Sequence, residues 1–168
     1  YWAQRGEAYR VVIDGKEQKA YDGLGGLIFS PDSQHVAYGA QRGETWRVVI
    51  DGKEQKAYDG IGNLIFSPDS QHVAYWAQRG ETYRVVIDGK EQKAYDGIGN
   101  LIFSLDGKTL AYAAQLSGAW TVVVENEEGE LFDNIVLIKG GTLRFTENGS
   151  IVYLAFRGGS ILLVEDSW

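Results

Sequence analysis

The chain has 168 residues, 44% of them hydrophobic and 23% charged, with a net charge of −7 and no cysteine. This is the composition of a globular chain with a real core, and it excludes disulfides, thiolate metal sites and a cysteine nucleophile. Residues 112–168 hold three Lys/Arg against eight Asp/Glu, so no basic face is available to release counterions from nucleic acid or to meet an anionic membrane.

In chain order, repetition governs everything else. Tyr1-Trp2-Ala3-Gln4-Arg5-Gly6-Glu7 returns at Tyr38 and Tyr75 with a period of 37 residues, and a decayed copy starts at Tyr112. Residues 1–37 and 38–74 differ only at Trp2/Gly39, Ala8/Thr45, Tyr9/Trp46, Leu24/Ile61 and Gly26/Asn63. Residues 75–111 are a third near-identical copy, and 112–168 form a divergent end. A period of this length marks a solenoid, a propeller or an array, and the content of each unit decides between them.

Each unit reads as four short strands. The first, residues 63–67, is apolar and stops at Pro68-Asp69, a turn pair. The second, 72–77, is closed by Arg79-Gly80-Glu81; the third, 82–87, is β-branched and ends on Asp88-Gly89, a strong hairpin signal. The fourth, 92–95, stops at Asp96-Gly97. No helical periodicity and no apolar run of the ~18 residues needed to span a bilayer occurs, so membrane insertion is not expected. Tight hairpins argue against a β-solenoid and for propeller blades, whose radial repetition hides most sheet edges. The expected fold is therefore all-β, a single β-propeller domain over residues 1–168 made of four-stranded blades.

The count of strands is uneven. Residues 1–22 supply a second, third and fourth strand; three full sets follow, the last ending near residues 132–138; residues 141–166 then supply a first, second and third. That makes eighteen strands, about 4.5 blades with incomplete blades at both ends. The innermost strands are expected at 26–30, 63–67 and 100–104, buried on both faces, with 11–14, 48–51 and 85–88 lying third.

The motif Phe29-Ser30-Pro31-Asp32 recurs as Phe66-Ser67-Pro68-Asp69, as Phe103-Ser104-Leu105-Asp106 and, worn, as Phe145-Thr146-Glu147-Asn148, each followed by a short turn and a Val-Ala-Tyr-like strand. In this it resembles the WD40-like repeat of TolB-type β-propellers. The resemblance implies that the Phe-Ser-Pro-Asp strand is innermost and suggests an extracytoplasmic location. It implies no single activity, since fold and function are separable.

Residues able to carry chemistry read mostly as structure. His35 and His72 sit at equivalent positions of neighbouring copies beside a turn, a layout that brings no set of ligands onto one ion. Asp32, Asp69 and Asp106 precede tight turns and are expected to fix their own backbones. No calcium loop, phosphate-binding Gly-rich loop or nucleophile elbow occurs. No catalytic set, metal or cofactor is expected. Tyr1, Tyr38, Tyr75 and Tyr112, with Tyr9, Trp46, Tyr83 and Trp120, are expected to pack between blades. Trp2, Gly39, Trp76 and Ala113 share one position of widely varying volume, which places it near a rim.

The candidate binding residues are Trp2, Gln4, Arg5, Gln41, Arg42, Trp76, Gln78 and Arg79, clustered on one loop face; Arg and Trp are enriched at interface hot spots. They point to a non-catalytic scaffold for a protein or peptide. A glycan-binding propeller and a regulatory fragment of a larger hydrolase are the alternatives. Incomplete blades with near-identical strands further point to a homo-oligomer through shared blades.

Overall fold

The computed structural model describes residues 1–136 and 143–168, and all regular elements there are β-strands. The first sheet holds β1 (Trp2–Arg5), β2 (Ala8–Ile13) and β3 (Lys16–Glu17). A four-stranded sheet follows, β4 (Gly23–Phe29), β5 (Val36–Arg42), β6 (Thr45–Ile50) and β7 (Lys53–Tyr58). The next is β8 (Gly60–Phe66), β9 (Val73–Arg79), β10 (Thr82–Ile87) and β11 (Lys90–Tyr95). The fourth contains β12 (Gly97–Phe103), β13 (Leu110–Leu116), β14 (Ala119–Val124) and β15 (Glu127–Glu128). The last contains β16 (Asn134–Ile135), β17 (Leu143–Phe145), β18 (Ile151–Arg157) and β19 (Ser160–Asp166).

All pairings are antiparallel, and in the full blades the strands lie side by side in chain order. The first strands β4, β8, β12 and β17 touch one another in succession, so they line the inside of the arc, with β6, β10 and β14 third. The sheets do not close into a ring. The strands β4, β8 and β12 each begin three residues earlier than their apolar run, because a bulge interrupts the pairing: between Gly62 and Ile65 the register shifts, and Asn63 takes φ 49°.

Two expectations need correction. Residues 132–138 do not form one fourth strand. Phe132 bridges to Trp120 of the preceding sheet, but Asn134–Ile135 pairs with β18 and begins the last blade's first strand. Asp133 is the cause: like Asp22, Asp59 and Asp96 it marks the turn between blades, and its carboxylate accepts from Gly158 N at 2.7 Å. The ends of the two expected segments, 137–138 and 141–142, lie outside the described residues. The innermost strands, moreover, are half-buried rather than buried on both faces, and Phe29 is 57% exposed. An open arc leaves its axial side uncovered, so the driest strands are the second and third.

The core lies between blades as a series of separate clusters. At each junction a ring from one blade's outer strand meets, edge to face, a tyrosine from the next blade's second strand. The centroid separations are 6.3 Å for Tyr21–Tyr38, 6.4 Å for Tyr58–Tyr75, 6.1 Å for Tyr95–Tyr112 and 5.9 Å for Phe132–Tyr153. The burial of these rings against Val48, Val85 and Val122 supplies the hydrophobic drive that one isolated sheet lacks.

A glutamate locks the first three ring pairs; at the fourth Phe132 has no hydroxyl, and Tyr153 Oη donates to Asp166 at 2.8 Å. Glu91 accepts from Tyr58 Oη at 2.9 Å and Lys56 Nζ at 2.7 Å, both in the preceding blade. From its own blade Arg84 Nη1 reaches it at 2.9 Å and Arg79 Nη2 at 3.3 Å. Glu54 repeats the arrangement with Tyr21, Lys19, Arg47 and Arg42, and Glu128 keeps Tyr95 and Lys93. The Lys56 hydrogen bond, with those from Tyr58 and Arg84, outweighs burial and holds the Glu91 carboxyl down at about 2. Burial and then Glu91 push the Tyr58 hydroxyl up to about 12.

A carboxyl whose folded value is depressed stabilises the protein above its unfolded value and loses that contribution as pH falls through the folded one. For Glu91 the window runs from the ordinary 4.5 down to about 2. Glu91→Gln should therefore cost about 1–3 kcal/mol at pH 7. Chemical denaturation across pH should show the variant and parent curves converging below that window; parallel curves would contradict the assignment.

Candidate functional site

Two families of turn face opposite ends of the blades. At one end lie the turns between first and second strands and between third and fourth. His35 Nδ1 sits 2.8 Å from Asp51 Oδ2, and Asp51 Oδ1 accepts from Val36 N at 3.0 Å. His72, Asp88 and Val73 repeat this. The hydrogen bond to Asp51, reinforced by its charge, raises the His35 pKa. Ser30 Oγ donates to Asp32 Oδ1 at 2.5 Å and accepts from His35 N at 2.9 Å. The serine hydrogen bonds, followed by backbone N–H bonds, hold Asp32, Asp69 and Asp106 below the usual carboxylate range. These histidines and aspartates are turn clamps. Among the described residues no group of three or more His, Cys, Asp or Glu is placed to hold a metal ion.

At the other end lie the turns between second and third strands and the turns between blades. Asp22 and Asp59 staple the two together by accepting from Gly43 N and Gly80 N at 2.7 Å. Gly43 has φ 60° and Gly80 φ 59°, a region that glycine enters at no steric cost, and the decayed copy places Ser117 there at φ 52°. Of the candidate binding residues, the glutamines and arginines belong to this end, whereas Trp2 and Trp76 sit further along their strands, opposite Val11 and Val85. Gln4, Gln41 and Gln78 each donate through Nε2 to the carbonyl of Gly6, Gly43 or Gly80 at 3.0–3.2 Å. Arg42 lies 5.3 Å over the Tyr21 ring and bonds Glu54; Arg79 lies 5.4 Å over Tyr58 and bonds Glu91. Arg5 bonds Glu17 at 2.7 Å. The Arg42 and Arg79 side chains are still 51% and 45% exposed.

No protein-family model and no curated protein matches the chain. Among solved structures, TolB from Acinetobacter baumannii is 18% identical, with a TM-score of 0.53, over 95% of this chain and 45% of TolB. A eukaryotic initiation factor is 10% identical, with a TM-score of 0.52, over 99% of this chain and 48% of the other. The fold is that of a β-propeller, as in TolB. This chain spans less than half the length of either of those structures.

Within the propeller, the variable position Trp2/Gly39/Trp76/Ala113 does not lie at a rim. Gly39 and Ala113 are buried, and Trp76 packs inside the junction with Val85, Ile98, Leu101 and Tyr112. Only Trp2 is mostly exposed, at 58%, and its sheet has no first strand among the described residues to lie on. The volume changes are only partly matched on the same sheet. Where the second strand carries Trp76, the third carries Tyr83; where it carries Gly39 or Ala113, the third carries Trp46 or Trp120. Trp76 rests on Gly62, where an added Cβ would come within 2.6 Å of Cε2. At Gly99 the Ala113 Cβ lies 3.0 Å and Trp120 3.6 Å from the same point, whereas at Gly25 the nearest atom is a Trp46 carbon at 3.9 Å.

Sequence reasoning missed two features. The latch glutamates were overlooked although Glu17, Glu54, Glu91 and Glu128 survive in all four copies, including the decayed one. The glycine cradle was legible only as a paired exchange of Trp for Gly and Tyr for Trp. Gly62→Ala should lower stability by about 1–3 kcal/mol through the clash with the indole. Gly25→Ala meets only ordinary contact and should stay within about 0.5 kcal/mol of the parent in thermal melts. Equal effects would refute the cradle.

Proposed function

We propose that the chain is a non-catalytic propeller scaffold that binds a protein or peptide across the end carrying Gln4, Arg5, Gln41, Arg42, Gln78 and Arg79, with the exposed Trp2 alongside. The carrying observation is the state of Arg42 and Arg79. Each guanidinium is already held between a carboxylate and a tyrosine ring, yet about half of the side chain faces solvent. An ordered arginine gives up little rotamer freedom on binding, and arginine is over-represented among hot spots. Because the copies stand on successive blades, a partner touching two of them gains by avidity. The glycan reading depends on repeated aromatic platforms, and Trp76 is already committed to Gly62, leaving Trp2.

Peptides selected from a displayed library on the parent protein test this reading. Affinity of the selected binders should fall at least about tenfold in Arg42→Ala/Arg79→Ala, consistent with hot-spot losses. Unchanged affinity, or binding only on a glycan array, would overturn it.

The partner set also includes a second copy of the chain. Leu163 is 73% exposed, while Val48, Val85 and Val122 at the corresponding third-strand position are 0% exposed. Ile161 beside it is 66% exposed. At the other extreme Tyr1 is 73% exposed, against 1% for Tyr38, Tyr75 and Tyr112. These are the two halves of an ordinary blade junction, and joining them between copies makes a homo-oligomer with blades shared around one ring. Light scattering should give a mass that rises with concentration, and Leu163→Glu should return it to one chain. A mass of one chain at every concentration refutes self-association.

A further inference from the structure

We infer that the cavity beside Gly39 is a binding site for a flat, neutral aromatic group of about the size of indole. The cavity, of about 300 Å³, lies between the second and third blades. Its floor is the paired backbone of Gly25 and Gly39, and its walls include Trp46, Val48, Leu64 and Tyr75. Apolar cavities of about half this volume admit benzene.

The chain itself displays the occupant that fits. One blade along, the same position is Trp76, whose ring lies on Gly62 and packs against Val85, Leu101 and Tyr112. Those residues are the repeat equivalents of Gly25, Val48, Leu64 and Tyr75. The second blade therefore keeps the cradle and the walls and lacks the ring. The neighbouring Trp46 does not replace it. Its closest carbon stands 3.9 Å from the point above Gly25, and Gly25 remains exposed while Gly62 and Gly99 are half-buried.

Two features set the chemistry. The glycine floor admits a ring lying flat against the backbone, whereas any side chain on Gly39 would approach Gly25 O at 3.1 Å and Ile61 Cδ1 at 3.2 Å. Trp46 and Tyr75 offer edges and faces for tilted or offset aromatic contact. No Asp, Glu, Lys or Arg lines the cavity, so a charged ring would be desolvated without a partner. The site is separate from the arginines of the binding end, and it stands or falls independently of them.

The test uses the 168-residue chain and indole, with cyclohexanol as a non-planar probe and a capped Gly-Trp-Gly peptide as a side-chain probe. In a nitrogen-resolved NMR titration, indole should shift the amides of Gly25, Gly26, Gly39 and Gly62, with a dissociation constant of about 1 mM or tighter. Gly39→Trp should weaken indole binding at least tenfold by filling the cavity from within. Trp76→Gly opens the same space one blade along, and it should bind two indoles and gain more thermal stability from indole than the parent does. Binding by the peptide identifies a partner's side chain as the source of the ring, and binding by indole alone identifies a free small molecule. Should either variant fail to fold, the parent titration decides alone. No saturable shift of those glycine amides, equal binding of cyclohexanol, or shifts confined to other sites would overturn the inference.

Discussion

The first three blade junctions depend on a carboxylate that one blade offers to the blade before it. A four-stranded sheet cannot bury both its faces, and it becomes stable only when another sheet covers it. Glu54, Glu91 and Glu128 make that covering specific. Each receives a tyrosine hydroxyl and a lysine from the blade before it, and so fixes the distance at which two rings meet edge to face. The apolar contact supplies most of the energy and the glutamate supplies the alignment. A surface ion pair alone is worth little, but these carboxylates are mostly covered and accept several hydrogen bonds at once. The cost of leaving such a group unmatched is what makes a slipped junction unfavourable.

The same latch shapes the end proposed for binding. Arg42 and Arg79 are held because their partners, a glutamate and a ring, are already part of the junction. On the proposed function, stability and recognition share residues. The opposite end is built from self-satisfied clamps, in which Ser30, Asp32, His35 and Asp51 answer one another and the backbone. Such an end has fewer unspent polar groups to offer a partner.

Much of this was legible in the sequence because repetition multiplies weak signals. Asp-Gly at three equivalent places identified the hairpins, and Asp51 and Asp88 duly take positive φ. The Leu-Ile-Phe runs marked the innermost strands, although their start was displaced by a bulge that Asn63 makes without an obvious local signature. What failed was inference from local pattern at the divergent end. There Asp133 was the informative residue, and the apolar run after it suggested one continuous strand. The latch escaped notice because its members lie 35 and 33 residues apart and look like ordinary surface charges. The cradle was hidden for a different reason: a glycine reveals its role only when one knows what lies above it.

One consequence of the latch concerns length. Residues 38–74 and 75–111 each carry the glutamate for the junction behind and the lysine and tyrosine for the junction ahead. Excising or inserting one whole unit of 37 residues therefore joins a donor set to an acceptor of the same kind, with no residue left unmatched. Blade number is thus a free variable of this architecture, adjustable in single steps. The nearest-neighbour energetics of a stacked array remain intact at every size. What changes from one length to the next is the angle left open, and with it the set of surfaces that must find a cover.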